Sequence, residues 1–176
     1  MISSSDNNFP SNYRLETPKG DNKQRIICNK CNYIHYINPK IVVGGVISYK
    51  KSILLCKRAI EPQKGYWTIP AGYLEENEST EEGALREIYE ESGVKPQIQG
   101  LLAIYSLKHI SQIQLIYKFL SINKDLNPGV ETEEADYFDW ENIPWNELAF
   151  PSVRWALNHF KEAEGKEFFI PKSNPD

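Results

Sequence analysis

The chain has 176 residues, 40% of them hydrophobic and 25% charged, which suits one globular domain with a sizeable core and excludes two large ones. Its net charge of −4 leaves no basic excess to displace counterions from a polyphosphate backbone, so no nucleic-acid partner is expected. A small anionic substrate stays compatible with that balance, because a bound cation inverts the local field of an acidic site.

The first six residues are polar and lack the basic start and apolar stretch of a secretory signal. No run approaches the roughly 20 apolar residues that span a bilayer, so no membrane partner is expected. Cys28, Cys31 and Cys56 are an odd number of cysteines with no secreted context, which points to a reduced, cytoplasmic setting. Residues 1–24 are polar and irregular, with Pro10, Pro18 and Gly20, and read as a flexible arm or as the eroded part of a small module. Residues 25–39 carry Cys28-Asn-Lys-Cys31 and then His35, a compact knuckle. The sequence therefore divides into an N-terminal arm and knuckle, 1–39, and a main domain, 40–170.

Residues 41–47, Ile-Val-Val-Gly-Gly-Val-Ile, predict a buried strand, and 53–57 the strand that returns after a turn at Lys50-Lys51-Ser52. A third extended piece at 67–70 is closed by Pro70-Ala71-Gly72. A helix is expected over 79–92, with Ser79-Thr80-Glu81-Glu82 as a capping box and Gly93 as its left-handed end. Two longer strands follow at 101–107 and 112–120, then a loop over 123–133 containing Asn127-Pro128-Gly129, and a strand at 134–140. Pro151 opens a last amphipathic helix to about residue 164. Strands and helices intermingle, which predicts an α/β fold around one sheet.

At about 100° per residue, Glu87, Glu90 and Glu91 share an arc of roughly 100° on the 79–92 helix. Leu85, Ile88, Tyr89 and Ser92 gather on the other side, where they are expected to pack on the sheet. Like charges at this spacing destabilise a helix by a few tenths of a kcal/mol per pair, and a divalent cation between them converts repulsion into coordination. Magnesium suits such a site, since it takes few carboxylates and fills its remaining positions with water and phosphate oxygens; manganese also accepts oxygen ligands. Taken alone, the same run reads first as a solvated acidic face, since charge runs usually mean only solubility.

The longer pattern is Gly72-Tyr-Leu-Glu-Glu-Asn-Glu78, seven residues, then Arg86-Glu87-Ile88-Tyr89-Glu90-Glu91-Ser92-Gly93-Val94. It resembles the Nudix box, G-x5-E-x7-R-E-U-x-E-E-x-G-U with U aliphatic, at every fixed position. The resemblance implies a Nudix α/β/α sandwich with a mixed central sheet and the box as a loop–helix–loop. It implies Glu87, Glu90 and Glu91 as metal ligands, and Arg86 as the residue that orients them by pairing with Glu78. Gly72 would begin the loop where backbone approaches the metal. In some members the general base is a box glutamate and in others it comes from a later loop. Glu134 is the candidate of the second kind, with a solvated loop glutamate as the alternative.

Arg58, Glu78, Gly72 and Trp67 are the candidates on the substrate side: Arg58 for a phosphate, Trp67 with Tyr66, Tyr73 and Tyr105 for stacking on a base. Core packing is the competing reading of these aromatics. His109 and His159 receive no catalytic role.

Tyr36-x-Asn38-Pro39-Lys40, Leu54-Leu55-Cys56-Lys57-Arg58, Gly65-Tyr-Trp67-Thr-Ile-Pro70 and Leu148-Ala-Phe150 extend the likeness over about residues 25–160. They resemble the Nudix branch of the FAD pyrophosphatases of plant organelles and their bacterial relatives. The S-Q-P-W-P-F-P-x-S signature of NADH pyrophosphatases is missing. Members of the branch carry a four-cysteine zinc ribbon before the main domain. Here only Cys28 and Cys31 remain, residues 9–22 hold no cysteine, and His35 offers a third ligand without a fourth. Structural zinc wants four, so zinc is not expected at Cys28 and Cys31. The function implied is metal-dependent hydrolysis of the diphosphate linkage of FAD, ADP-ribose or a similar nucleotide, releasing a nucleoside monophosphate, with room for both halves in a homodimer. The alternatives are a housecleaning nucleoside triphosphate pyrophosphatase and a non-catalytic nucleotide sensor.

Overall fold

The computed structural model describes residues 11–166 and 168–175, which fall into two units divided between Pro39 and Lys40. Residues 1–10, where the expected arm begins, lie outside the described residues. Residues 11–24 do not form an arm. In the first unit β1 (Tyr13–Glu16) pairs antiparallel with β2 (Arg25–Cys28), which in turn pairs with β3 (Ile34–His35). The connection closes because the Asp21 carboxylate accepts the N–H groups of Asn22 and Lys23 and meets Arg25 at 2.8 Å. Leu15 stands opposite Ile26, and Ile27 is buried.

The second unit is built on a seven-stranded mixed sheet. Its strands are β4 (Lys40–Tyr49), β5 (Ser52–Arg58), β6 (Trp67–Thr68), β7 (Ala71–Tyr73), β8 (Gln97–Leu107), β9 (Gln112–Leu120) and β10 (Thr132–Asp139). The main path runs β10-β5-β4-β9-β8, with β6 added to β5 and β7 to β4. Only the β4–β9 pairing among these is parallel. The expected strands at 101–107 and 134–140 start earlier than read, at Gln97 and Thr132.

The period-2 alternation of the strands splits the core between two faces. On one face Val43, Ile47, Leu54 and Phe119 pack against Ala84 and Ile88 of α1 (Thr80–Ser92). On the other, Val46, Ile53, Leu55 and Tyr105 pack against Ala156, Leu157 and Phe160 of α2 (Pro151–Glu162). Helices on opposite faces of a mixed sheet make this the α/β/α sandwich expected. Beyond α2 the chain returns to the sheet edge, where the Lys172 N–H donates to Leu102 and its carbonyl accepts from Ile104, both at 2.9 Å. Among the described residues no helix is long and apolar enough to cross a membrane.

Candidate active site

Helix α1 begins as its sequence demands. The Ser79 hydroxyl accepts the Glu82 N–H at 3.2 Å while the Glu82 carboxylate accepts the Ser79 N–H at 2.8 Å, and Gly93 closes the other end in the left-handed region. Gly83, Ala84, Ile88 and Ser92 are buried against the sheet. Tyr89, expected on that side, is exposed and carries Lys95 over its ring at 4.8 Å, because it lies one step past the buried Ile88 stripe.

Arg86 is the hub of the acidic face. Its Nε and Nη2 donate to the two Glu78 oxygens at 3.0 and 2.7 Å, and its Nη1 reaches Glu87 at 2.8 Å and Glu90 at 3.2 Å. Nη2 also holds the Tyr73 carbonyl at 3.1 Å, which ties the box loop to the helix. Paired with Arg86 and accepting the Glu75 N–H, Glu78 is held down to about 2. The carboxylate is thus engaged within the protein.

Glu87 lies against Gly72. A Cβ placed on Gly72 would sit 2.3 Å from the Glu87 carboxylate, so no other residue fits there without moving it. Burial raises Glu87 above the usual carboxylate range, with Arg86 opposing. Glu91 is turned further inward than an exposed helix face allows. Its Oε2 is buried and finds no hydrogen-bond partner among the described residues. Burial, followed by the negative charge of Glu87, pushes Glu91 up to about 8.

Two segments from outside the box complete the surroundings. The Arg58 charge acts on Glu91 and lowers it; Arg58 itself is steadied by the Pro62 carbonyl at 2.7 Å and lies over the Phe150 ring at 5.4 Å. The loop before β10 is fastened to the end of α1: Asn127 N–H donates to Ser92 at 2.8 Å and Gly129 N–H to Glu90 at 3.1 Å. A Cβ on Gly129 would lie 2.3 Å from the Glu90 carbonyl oxygen. That anchorage, with Ala59 N–H donating to the Glu131 carbonyl at 2.8 Å, carries Glu131 to where its charge raises both Glu87 and Glu91.

The structure thus brings together Gly72, Glu78, Arg86, Glu87, Glu90, Glu91 and Arg58. It does not bring Glu134 or Trp67 to them. Glu134 stands opposite Lys57 on the next strand, 3.7 Å from its Nζ, with its side chain 57% exposed. Trp67 is 6% exposed and packs edge-on against Phe138 at 4.9 Å, a core residue. Tyr105 is likewise buried, whereas Tyr66 and Tyr73 are exposed. Glu131, whose charge acts on Glu87 and Glu91, was not singled out in the sequence. Its signal was present in the acidic run 131–134 after Asn-Pro-Gly, but the loop's attachment to α1 was not visible.

Among the described residues no three His, Cys, Asp or Glu side chains converge as a ready-made metal cage; Arg86 draws Glu87 and Glu90 to itself. The donor set nonetheless fits a hard cation. Glu91 has a buried oxygen without a partner, Gly72 leaves the Glu87 carboxylate uncovered by any side chain of its own, and magnesium needs only one or two carboxylates plus water.

Comparison with known proteins agrees. The NUDIX domain family model matches residues 38–162, and the Nudix N-terminal zinc-ribbon model matches residues 11–37. The chain is 36% identical over 139 residues to an ADP-ribose pyrophosphatase of Methanocaldococcus jannaschii, covering 76% of this chain and 80% of the relative. It is 27% identical over 117 residues to a putative 8-oxo-dGTP diphosphatase of Bacillus subtilis, covering 66% and 75%. The crystal structure of a NUDIX hydrolase from Nitrosomonas europaea superposes with a TM-score of 0.85 at 40% identity, covering 93% of this chain and 94% of that one.

Proposed function

Because the chain belongs to the Nudix hydrolase family, a pyrophosphohydrolase acting on phosphoanhydride bonds of nucleotides, we propose that its substrate is a nucleoside diphosphate joined to a second moiety. ADP-ribose and FAD are the members of that class we favour, and the products are a nucleoside monophosphate and the phosphorylated second moiety. The observation that carries the reading is Glu91, whose buried Oε2 has no hydrogen-bond partner among the described residues, beside a Glu87 carboxylate that lies against Gly72. The 36% identity to an ADP-ribose pyrophosphatase supports the substrate class.

Glu87, Glu90 and Glu91 would hold magnesium, or manganese in its place. When bound, the cation supplies charge neutralisation on the diphosphate oxygens and acidifies a water. Everything else falls to the chain. Arg86 holds Glu87 and Glu90 in a fixed relation while Glu78 occupies its other donors. Arg58, already within electrostatic reach of Glu91, meets a phosphate oxygen of the substrate. Glu131, exposed and within reach of the same carboxylates, accepts the proton of the attacking water. We assign it that part in preference to Glu134, whose partner is Lys57.

A product assay with purified protein tests the proposal: ADP-ribose, FAD, NADH and nucleoside triphosphates with magnesium, and EDTA controls. Metal-dependent release of AMP from ADP-ribose or FAD is expected. The likeness to a putative 8-oxo-dGTP diphosphatase supports a second reading, in which only triphosphates are cut. Tight nucleotide binding with no cleavage would leave a sensor and overturn both.

A further inference from the structure

The family to which residues 11–37 match implies zinc, and the residues present do not fit it. The chain has three cysteines, and Cys56 is buried in the core of the second unit. The first unit therefore offers two sulfurs, Cys28 and Cys31, and one imidazole, His35, which is exposed on β3 opposite Ile26. Among the described residues these do not converge as a metal site, and structural zinc takes four ligands.

The knuckle is nevertheless ordered, and the cause is Arg14. Its Nη1 donates to the Asn29 side-chain oxygen at 3.2 Å and reaches the Cys28 carbonyl at 3.5 Å, while its Nη2 donates to the Asn32 side-chain oxygen at 3.1 Å. Nε is fixed by Glu16 at 2.6 Å. The turn itself closes through Asn32 N–H to the Cys28 carbonyl and Cys28 N–H to the Tyr33 carbonyl, both 2.9 Å, with Asn32 at φ 57°. The residues just before β1 also meet the knuckle, the carbonyls of Asn12 and Ser11 accepting from Asn29 at 2.8 and 3.3 Å. A planar guanidinium with several fixed donors can tie three points of a turn as a metal would.

That leaves two thiols three residues apart on a clamped turn. Cys31 is exposed and Cys28 half-buried. The N–H groups of Cys31 and Lys30, and then the Cys31 thiol, point at the Cys28 sulfur and lower its pKa, which favours the nucleophilic thiolate.

We propose that this unit has exchanged zinc for the Arg14 clamp, and that Cys28 and Cys31 form a reversible dithiol–disulfide site for small-molecule disulfides. The Cys28 thiolate attacks one sulfur of the disulfide, whose S–S bond breaks and releases one thiol. The Cys31 thiolate then attacks the Cys28 sulfur of the mixed disulfide and releases the second thiol. Two protons and two electrons pass from the protein to the reagent, which is reduced to two thiols.

The full chain, purified reduced, is incubated with zinc sulfate, desalted and assayed for metal, then treated with oxidised glutathione and weighed by mass spectrometry. Far less than one zinc per chain is expected, followed by a mass lower by two hydrogen atoms, a Cys28–Cys31 link in the peptide map, and reversal by dithiothreitol. Cys31→Ser should instead keep one glutathionyl group on Cys28, since no second thiol can displace it. Arg14→Ala should speed amide hydrogen exchange across residues 29–33 and leave that of 80–92 unchanged. One tightly held zinc per chain that blocks oxidation would overturn the proposal. So would glutathionyl adducts on the native chain that never close, or unaltered exchange in Arg14→Ala.

Discussion

Gly72 and Glu87 meet across a space that a methyl group would fill, so activity there is sensitive to a change that alters no charge. Gly72→Ala should lower kcat about 10- to 100-fold, the range seen when a ligand's supporting contact is lost, with an unchanged far-ultraviolet circular dichroism spectrum. Glu91→Gln should abolish most turnover. A second readout separates a lost ligand from a damaged fold. Saturation to a hundredfold over Kd stabilises by about 3 kcal/mol, or on the order of 5–10 °C in Tm. Magnesium should therefore raise the Tm of the native chain and leave that of the variant where it is. Glu131→Gln should cost about a hundredfold or more in kcat, as loss of a general base does, with Glu134→Gln close to native; the reverse pattern would return the base to Glu134. The box residues were legible because their spacing is the chemistry. Glu131 was not singled out, because no local pattern shows that its loop is tied to the end of α1. The strand starts at Thr132, and an irregularity between Thr132 and Glu134 sets Glu134 across from Lys57.

At the scale of elements, α1 was the most legible part of the chain. Capping box, apolar stripe and terminal glycine all agree over Thr80–Ser92, and such agreement between levels is what makes a segment readable. Ser79→Ala should cost about 1 kcal/mol in a denaturant melt, the usual worth of such a cap. β1 was illegible for the opposite reason. Four residues with a single aliphatic side chain, Tyr-Arg-Leu-Glu, carry too little pattern, and what fixes them is the Asp21 turn and the Arg14 clamp, both polar. The loop before β10 joins two elements. Gly129→Ala must push it off the Glu90 carbonyl and displace Glu131 with it. Its expected signature is a fall in kcat with KM little changed, read by steady-state kinetics.

For the molecule as a whole, two titratable groups shifted by burial act on stability in opposite directions. Glu91 has its folded-state value raised from 4.5 to about 8. The folded chain therefore takes a proton before the unfolded one as pH falls, and the contribution is complete below 4.5 and lost as pH rises through about 8. His159, whose Nδ1 shares a hydrogen bond of 2.7 Å with the Tyr105 hydroxyl, is held below its ordinary 6.5 by burial. There the unfolded chain is protonated first, and stability declines as pH drops below 6.5. In metal-free buffer, Tm should rise as pH is lowered from about 8 towards neutrality, and Glu91→Gln should flatten that rise. His159→Gln should make Tm higher relative to native at pH 5 than at pH 8. Scanning calorimetry across this range decides both. The α/β class itself was readable from the alternation of apolar strands with two amphipathic helices. The order of strands was not, since pairing between β4 and β9 leaves no local trace.

That pairing has a cost in time. Every β4–β9 partner lies 72 positions further along the chain, from Lys40 with Gln112 to Ser48 with Leu120. At about 5–20 residues per second of synthesis, β4, the middle strand of the main path, waits on the order of 4–14 s for its neighbour to leave the ribosome. During that interval Val43, Val46 and Ile47 have no sheet partner on that side. The nascent chain is exposed to aggregation through the same edge that later becomes its centre.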